Sequence, residues 1–135
     1  MKKKIINYTQ RQFNEDIVQM HIKIRVYELF HDVGFQEIYG IPRGGIIPGV
    51  YLSHRTGIPF TTQLHRTKTT AIIDDISDSG ETLQKLYRKY RKSFLSNTFI
   101  PFTLWIMNKT AFFPQSFCRV KQKNEWIVYP WEINH

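Results

Sequence analysis

Strand-like runs that alternate with helical patterns predict an α/β domain around a mainly parallel sheet flanked by helices. Two observations carry this expectation. Thr70-Ala71-Ile72-Ile73-Asp74 is a continuous apolar run, the pattern of a strand buried on both faces of a parallel sheet. Two strand-like runs also lead through Gly- or Ser-rich turns into segments whose apolar residues recur at helical spacing.

The elements follow in chain order. Lys4 to Tyr8 reads as a short strand, and Thr9 as a helix N-cap whose hydroxyl accepts an early backbone N–H. From Gln10 to Phe30, Phe13, Ile17, Met20, Ile24 and Tyr27 form a helical stripe. A second row, Val18, Ile22, Val26 and Leu29, predicts a helix covered on two sides, one of them by another subunit. Gly34 ends the connection that follows. Glu37–Ile41 is the next strand, Pro42–Gly45 a sharp turn, and Ile46–Arg55 a helix stopped by Gly57 and Pro59. Phe60–Leu64 and Thr70–Asp74 are strands, with Asp75–Gly80 a loop. Glu81–Phe94 is an amphipathic helix, Phe99–Met107 a strand, and Glu125–Tyr129 a short apolar segment near the end.

A chain of 135 residues with 41% hydrophobic content predicts a single domain, residues 1–135, with one packed core. No window reaches the ~18 apolar residues of a membrane helix. Ile5-Ile6 after Lys2-Lys3-Lys4 is too short for a signal-peptide core. A soluble cytoplasmic protein is expected. The single cysteine, Cys118, makes neither an intrachain disulfide nor a multi-thiolate zinc site. The five histidines show no metal-ligand spacing, and no serine- or cysteine-nucleophile motif occurs. The net charge of +8 points to an anionic partner, nucleic acid or a phosphorylated small molecule.

The chemistry-bearing segment is Ala71 to Leu83. Its strand delivers Asp74 and Asp75 at the carboxyl end, where ligands of open α/β sheets bind. Backbone N–H groups at the next helix start, with the Ser79 and Thr82 hydroxyls, suit a phosphate. Gly80 allows close approach. The carboxylates repel that phosphate and suit ribose hydroxyls or a Mg²⁺ held through water. No G-x-x-x-x-G-K-[ST] exists, and an EF-hand would need a carboxylate where Leu86 stands. Upstream, the Gly44-Gly45 pair exposes N–H groups to an anion, and Arg43 adds a forked cation.

Taken together, these segments resemble type I phosphoribosyltransferases, most of all the xanthine-guanine and hypoxanthine enzymes. Ala71 to Leu83 resembles the motif that binds phosphoribosyl pyrophosphate (PRPP), and Tyr39 to Gly49, above all Arg43-Gly44-Gly45-Ile46-Ile47-Pro48-Gly49, the pyrophosphate loop. The resemblance implies the type I fold. Asp74 and Asp75 would hold the ribose hydroxyls and the water shell of Mg²⁺, with Asp75 foremost at the metal. Asp78, Ser79, Gly80, Glu81 and Thr82 would wrap the 5′-phosphate, while Arg43, Gly44 and Gly45 bind pyrophosphate. Asp78 would also be the catalytic base. A non-proline cis peptide would fall at Arg43-Gly44. Trp126-Ile127, in a Trp-Ile-x-x-Pro-Trp-acid segment, would stack and read the purine, and Lys109 would bind its 6-oxo group. The partners implied are PRPP and guanine, xanthine or hypoxanthine, in a homodimer or homotetramer.

One departure stands out. The family closes its site with a long loop between the second and third strands, yet only His65 to Thr69 joins those strands here. His65, Arg66 and Lys68 can reach pyrophosphate but cannot cover it. A slow transferase is expected. The alternative is a catalytically weak sensor of PRPP or nucleotides that binds RNA or a protein. Lys85, Arg88, Lys89, Arg91 and Lys92 on one helix are the basic surface for such an RNA.

Overall fold

The computed structural model describes residues 2–132. Strand β1 (Lys4–Asn7) leads through Tyr8 and Thr9 into helix α1 (Gln10–His31). Thr9 caps it as expected: its Oγ1 accepts from the Gln12 N–H at 3.1 Å, and the Gln12 side chain accepts from the Thr9 N–H at 3.0 Å. Strand β2 (Glu37–Gly40) runs through the turn Ile41–Gly45 into α2 (Ile46–Thr56). Then follow β3 (Phe60–Thr61), β4 (Thr70–Ser77), α3 (Glu81–Lys89) and α4 (Arg91–Leu95). The chain continues with β5 (Phe99–Met107), β6 (Ser116–Lys121) and β7 (Glu125–Val128).

Five strands form a wholly parallel sheet in the order β3-β2-β4-β5-β6, and β1 pairs with β7 in a separate parallel ribbon. Parallel pairing places the carboxyl ends of β2, β4 and β5 on one edge of the sheet. β4 and β5 are its centre, which explains their near-continuous apolar sequences. Helix α1 buries Phe13, Ile17, Met20, Ile24 and Tyr27 against one face. The other face packs Ile41, Ile72, Leu83 and Phe99, with Leu86, Tyr90 and Phe94 alongside. No helix of the described residues is long and apolar enough to cross a membrane.

Several boundaries differ from the sequence expectation. β3 keeps two residues of Phe60–Leu64, because only Phe60 and Thr61 find partners on β2. β4 runs on to Ser77 beside β5, so Asp75 stands on the strand and not in a loop. Helical geometry lapses at Tyr90, which has φ −119° and ψ 35° and divides the expected single helix in two. Its ring packs on Phe99, with the Arg66 guanidinium 4.5 Å from its centroid. The non-proline cis peptide lies at Pro42-Arg43, one residue before the expected Arg43-Gly44. β6 had no sequence signature. It is an edge strand of mixed residues, recognisable only once β5 is beside it.

A buried ion pair ties α1 to that edge strand. The Arg119 guanidinium forks onto Asp16, at 2.6 Å from Nε to Oδ2 and 3.3 Å from Nη2 to Oδ1. The Tyr8 hydroxyl donates to the same carboxylate at 2.5 Å. Cys118, beside them, is an inert packed thiol, pushed up to about 12 by burial and then by Asp16. Breaking a buried pair leaves one charge without its partner. Arg119→Ala is expected to cost roughly 2–4 kcal/mol in urea denaturation, discounted for the partial exposure of the arginine.

Candidate functional site

Two crossovers build the site. β2 ends at Gly40 and its chain turns through Ile41–Gly45, while β4 ends at Ser77 and turns through Asp78–Gly80 into α3. The turns face each other across a cavity of about 230 Å³, lined among others by Gly44, Asp74, Asp75, Asp78, Ser79 and Thr82. Gly80, at φ +88°, opens α3 in a conformation that side chains with a Cβ rarely adopt. Gly80 offers no side chain to cap the helix, and the Ser79 Oγ accepts only weakly from the Glu81 N–H, at 3.3 Å, so the helix start suits an anion. The turn is buttressed from β5–β6: Ala111 N–H donates to Ser79 O at 3.2 Å, and the Ser77 hydroxyl donates to Phe112 O at 2.7 Å.

The pyrophosphate-type turn packs directly on the acids. A Cβ at Gly44 would overlap the carboxylate of Asp75. Asp74 is 7% exposed, and its Oδ1 accepts from the Asp75 N–H at 2.9 Å. Burial raises the pKa of both carboxyls, and repulsion by Asp75 adds to the shift at Asp74. No Lys or Arg pairs with either among the described residues. Nor is there a cluster of three or more potential metal ligands among them. Two crowded acids without a cation fit a hard divalent ion that takes its remaining oxygens from water and a ligand's phosphates.

Asp75 also lines two neighbouring cavities. One, of about 590 Å³, is bordered by Arg43, Gly44, Ile47, Tyr129, Trp131 and Glu132. The other, of about 240 Å³, is bordered by Ile76, Asp78, Lys121, Trp126, Ile127 and Tyr129. The three cavities therefore meet at one carboxylate. Asp78 belongs to both the first and the third. Trp126 is half exposed, and the Lys3 ammonium lies 4.5 Å from its ring centroid. Ile127 is buried in β7. Glu81 pairs with Lys85 at 2.9 Å on the surface of α3.

Two expectations place residues elsewhere. Lys109 is exposed, at φ +67°, and lines none of the three cavities. In the short connection before β4, His65 and Lys68 bind Glu37 at 2.8 and 2.9 Å, at the amino end of β2 and so the far end of the sheet. Arg66 stacks on Tyr90. Their contacts turn these three side chains away from the Ile41–Gly45 turn. Conversely, Lys121, Tyr129 and Glu132 line the cavities without having been singled out as site residues. Lys121 ends a strand with no sequence signature.

Among solved structures, the purine phosphoribosyltransferase of Pyrococcus horikoshii Ot3 superposes with a TM-score of 0.80 at 26% identity, over 97% of this chain and 95% of that one. The xanthine-guanine-hypoxanthine phosphoribosyltransferase of Helicobacter pylori gives 0.75 at 19%, over 96% and 95%. A hypothetical protein of Neisseria gonorrhoeae with bound ppGpp gives 0.75 at 20%, over 98% and 92%. No sequence-family model and no curated protein sequence matches the chain. The chain has the type I phosphoribosyltransferase fold. Within that class the likeness is to the purine and hypoxanthine-guanine enzymes.

The raised carboxyl pKa has a consequence for stability. The native state holds the Asp74 proton to higher pH than the unfolded chain, so the charge costs nothing at pH 4 and most at high pH. Asp74→Asn is expected to stabilise the ligand-free protein by roughly 2–4 kcal/mol at high pH, with the gain vanishing toward pH 4. Thermal melts across that range measure it.

Proposed function

We propose that the protein transfers the 5-phosphoribosyl group of PRPP to a 6-oxopurine (guanine, xanthine or hypoxanthine). The products are a nucleoside 5′-monophosphate and pyrophosphate, in cytoplasmic purine salvage. The observation that carries this reading is the meeting of three cavities at Asp75, each chemically suited to one part of the reaction. The α3 cavity, with Ser79, Gly80, Glu81 and Thr82, takes the 5′-phosphate. The Arg43–Gly44–Gly45 side takes pyrophosphate. The Trp126–Ile127 side takes the base, and Asp74 and Asp75 hold the ribose hydroxyls between them.

In this reading the bond from the anomeric carbon to the pyrophosphate oxygen breaks, and a bond to a purine ring nitrogen forms. Asp78 accepts the proton that nitrogen loses. Arg43 and the N–H groups of the glycine pair stabilise the charge gathering on pyrophosphate. Asp75, with Asp74 through water, would hold Mg²⁺, which supplies further neutralisation of that charge when bound. The phosphate cradle anchors the far end of the sugar, so binding energy there orients the reacting carbon. With His65, Arg66 and Lys68 turned away, nothing in the connection before β4 covers PRPP, and turnover is slow.

Steady-state assay of pyrophosphate release with each 6-oxopurine tests the reading, and no release with any of them removes it. Asp78→Asn is expected to lower turnover about 10²–10⁴-fold while PRPP affinity changes far less. Equal losses in both would contradict the general-base role. The open site supports the second reading, a sensor of PRPP or nucleotides that binds RNA through the basic side of α3 and α4. Tight nucleotide binding without turnover, with salt-sensitive RNA binding, would favour it.

For the assembly we propose a homodimer or homotetramer built on the outer side of α1. Leu29 and Phe30 are 83% and 82% exposed there, and Ile22, Val26 and Val33 are also open. Leu29→Glu is expected to shift sedimentation from the oligomer to the monomer without lowering the thermal stability of the monomer.

A further inference from the structure

The turn that opens α3 is held from outside its own segment. Ser77 ends β4 at 2% exposure, and Thr110 faces it from the β5–β6 connection at 5%. The Ser77 hydroxyl has one proton, and Phe112 O takes it at 2.7 Å. The Thr110 hydroxyl, 3.2 Å from Ser77 Oγ, is therefore the donor of that pair. The protons run one way, from Thr110 to Ser77 to the Phe112 carbonyl. Ser79 O, two residues further along the turn, accepts from the Ala111 N–H at 3.2 Å. Gly80 lies against the same segment, where a Cβ would come within 2.6 Å of the Phe112 nitrogen. The Phe112 ring packs in turn on Tyr87 of α3 and Phe94 of α4.

We propose that Ser77 is a positioning residue for the phosphate turn, with Thr110 fixing the direction of its hydroxyl. That hydroxyl is committed to two protein partners, so it acts on a ligand through the backbone it holds. Thr110 borders none of the three cavities and acts through Ser77. A phosphate is bound by several N–H groups that must converge, and a small displacement of their backbone weakens them together. Without the Ser77 hydroxyl, the buried Phe112 carbonyl loses its donor and the entry to the turn loses its tie to the β5–β6 connection. The inference rests on the assignment of the α3 cavity to the 5′-phosphate and deepens it, naming two hydroxyls that shape the cradle without binding the anion.

Calorimetric titration of the full chain with inosine and with inosine 5′-monophosphate tests it, because the ratio of the two affinities isolates the phosphate. The wild type is expected to favour the nucleotide by roughly 10–100-fold, the range of a charge-assisted hydrogen bond. Ser77→Ala is expected to cut that ratio about tenfold and to leave the affinity for inosine unchanged. Thr110→Val, which keeps the shape and removes the hydroxyl, is the variant to use if Ser77→Ala gives no cooperative melt, and it is expected to lower the ratio in the same direction. Thr110→Ser keeps the hydroxyl and is expected to keep the wild-type ratio. The two losses are expected not to add in the double variant, since both break one network. A ratio near one in the wild type, or binding of neither ligand, overturns the inference. So does a ratio that neither variant lowers while the melting temperature falls, an equal loss for both ligands, or a loss in Thr110→Ser as large as in Thr110→Val. The two readings fail separately. A phosphate-dependent ratio that falls in the variants, without pyrophosphate release from PRPP, removes the transfer reaction and leaves Ser77 its role. Pyrophosphate release with the ratio unchanged in both variants does the reverse.

Discussion

The carboxylates of Asp74 and Asp75 sit side by side at the carboxyl end of a central strand, with no basic residue bonded to either among the described residues. Burial of both, with repulsion by Asp75 added at Asp74, makes this an expensive arrangement. The rest of the site is shaped around it. Gly44 must lack a side chain because its Cα rests against Asp75. The phosphate turn leaves β4 only three residues after that carboxylate, at Asp78. Stability is given up in the wall of a cavity, a common feature of binding sites.

The same economy shows at the opposite end of the sheet. Glu37 collects His65 and Lys68 and draws the β3–β4 connection down to the amino end of β2. A carboxylate at the start of a strand thereby engages two of the cations of the short connection. Open access to the cavities follows.

The two phosphate-type turns and the acid pair were legible in the chain because they are local. Asp74 to Thr82 is a contiguous segment whose strand, loop and helix follow from its own residues, and the same holds for Gly40 to Gly49. The helix stripe from Phe13 to Tyr27 and the Thr9 cap were equally local. Harder to read was anything defined by a neighbour: the two-residue length of β3, the extension of β4 to Ser77 by pairing with β5, and the interruption of the helix at Tyr90.

The sequence by itself determined the parallel α/β plan, the order of the two ligand turns and the shortness of the connection before β4. Each is written in periodicity or spacing within some ten residues. Only the tertiary structure decided that Lys121 lines the cavity beside Trp126 and Ile127 while Lys109 stays outside it, and that His65 and Lys68 bind Glu37 at the far end of the sheet. A lysine is the same long flexible cation in any sequence. What separates a cavity-lining lysine from a surface one is whether strand pairing buries its ammonium beside a carboxylate, and here the pairing of β6 with β5 places Lys121 within reach of Asp78, across 43 positions of chain.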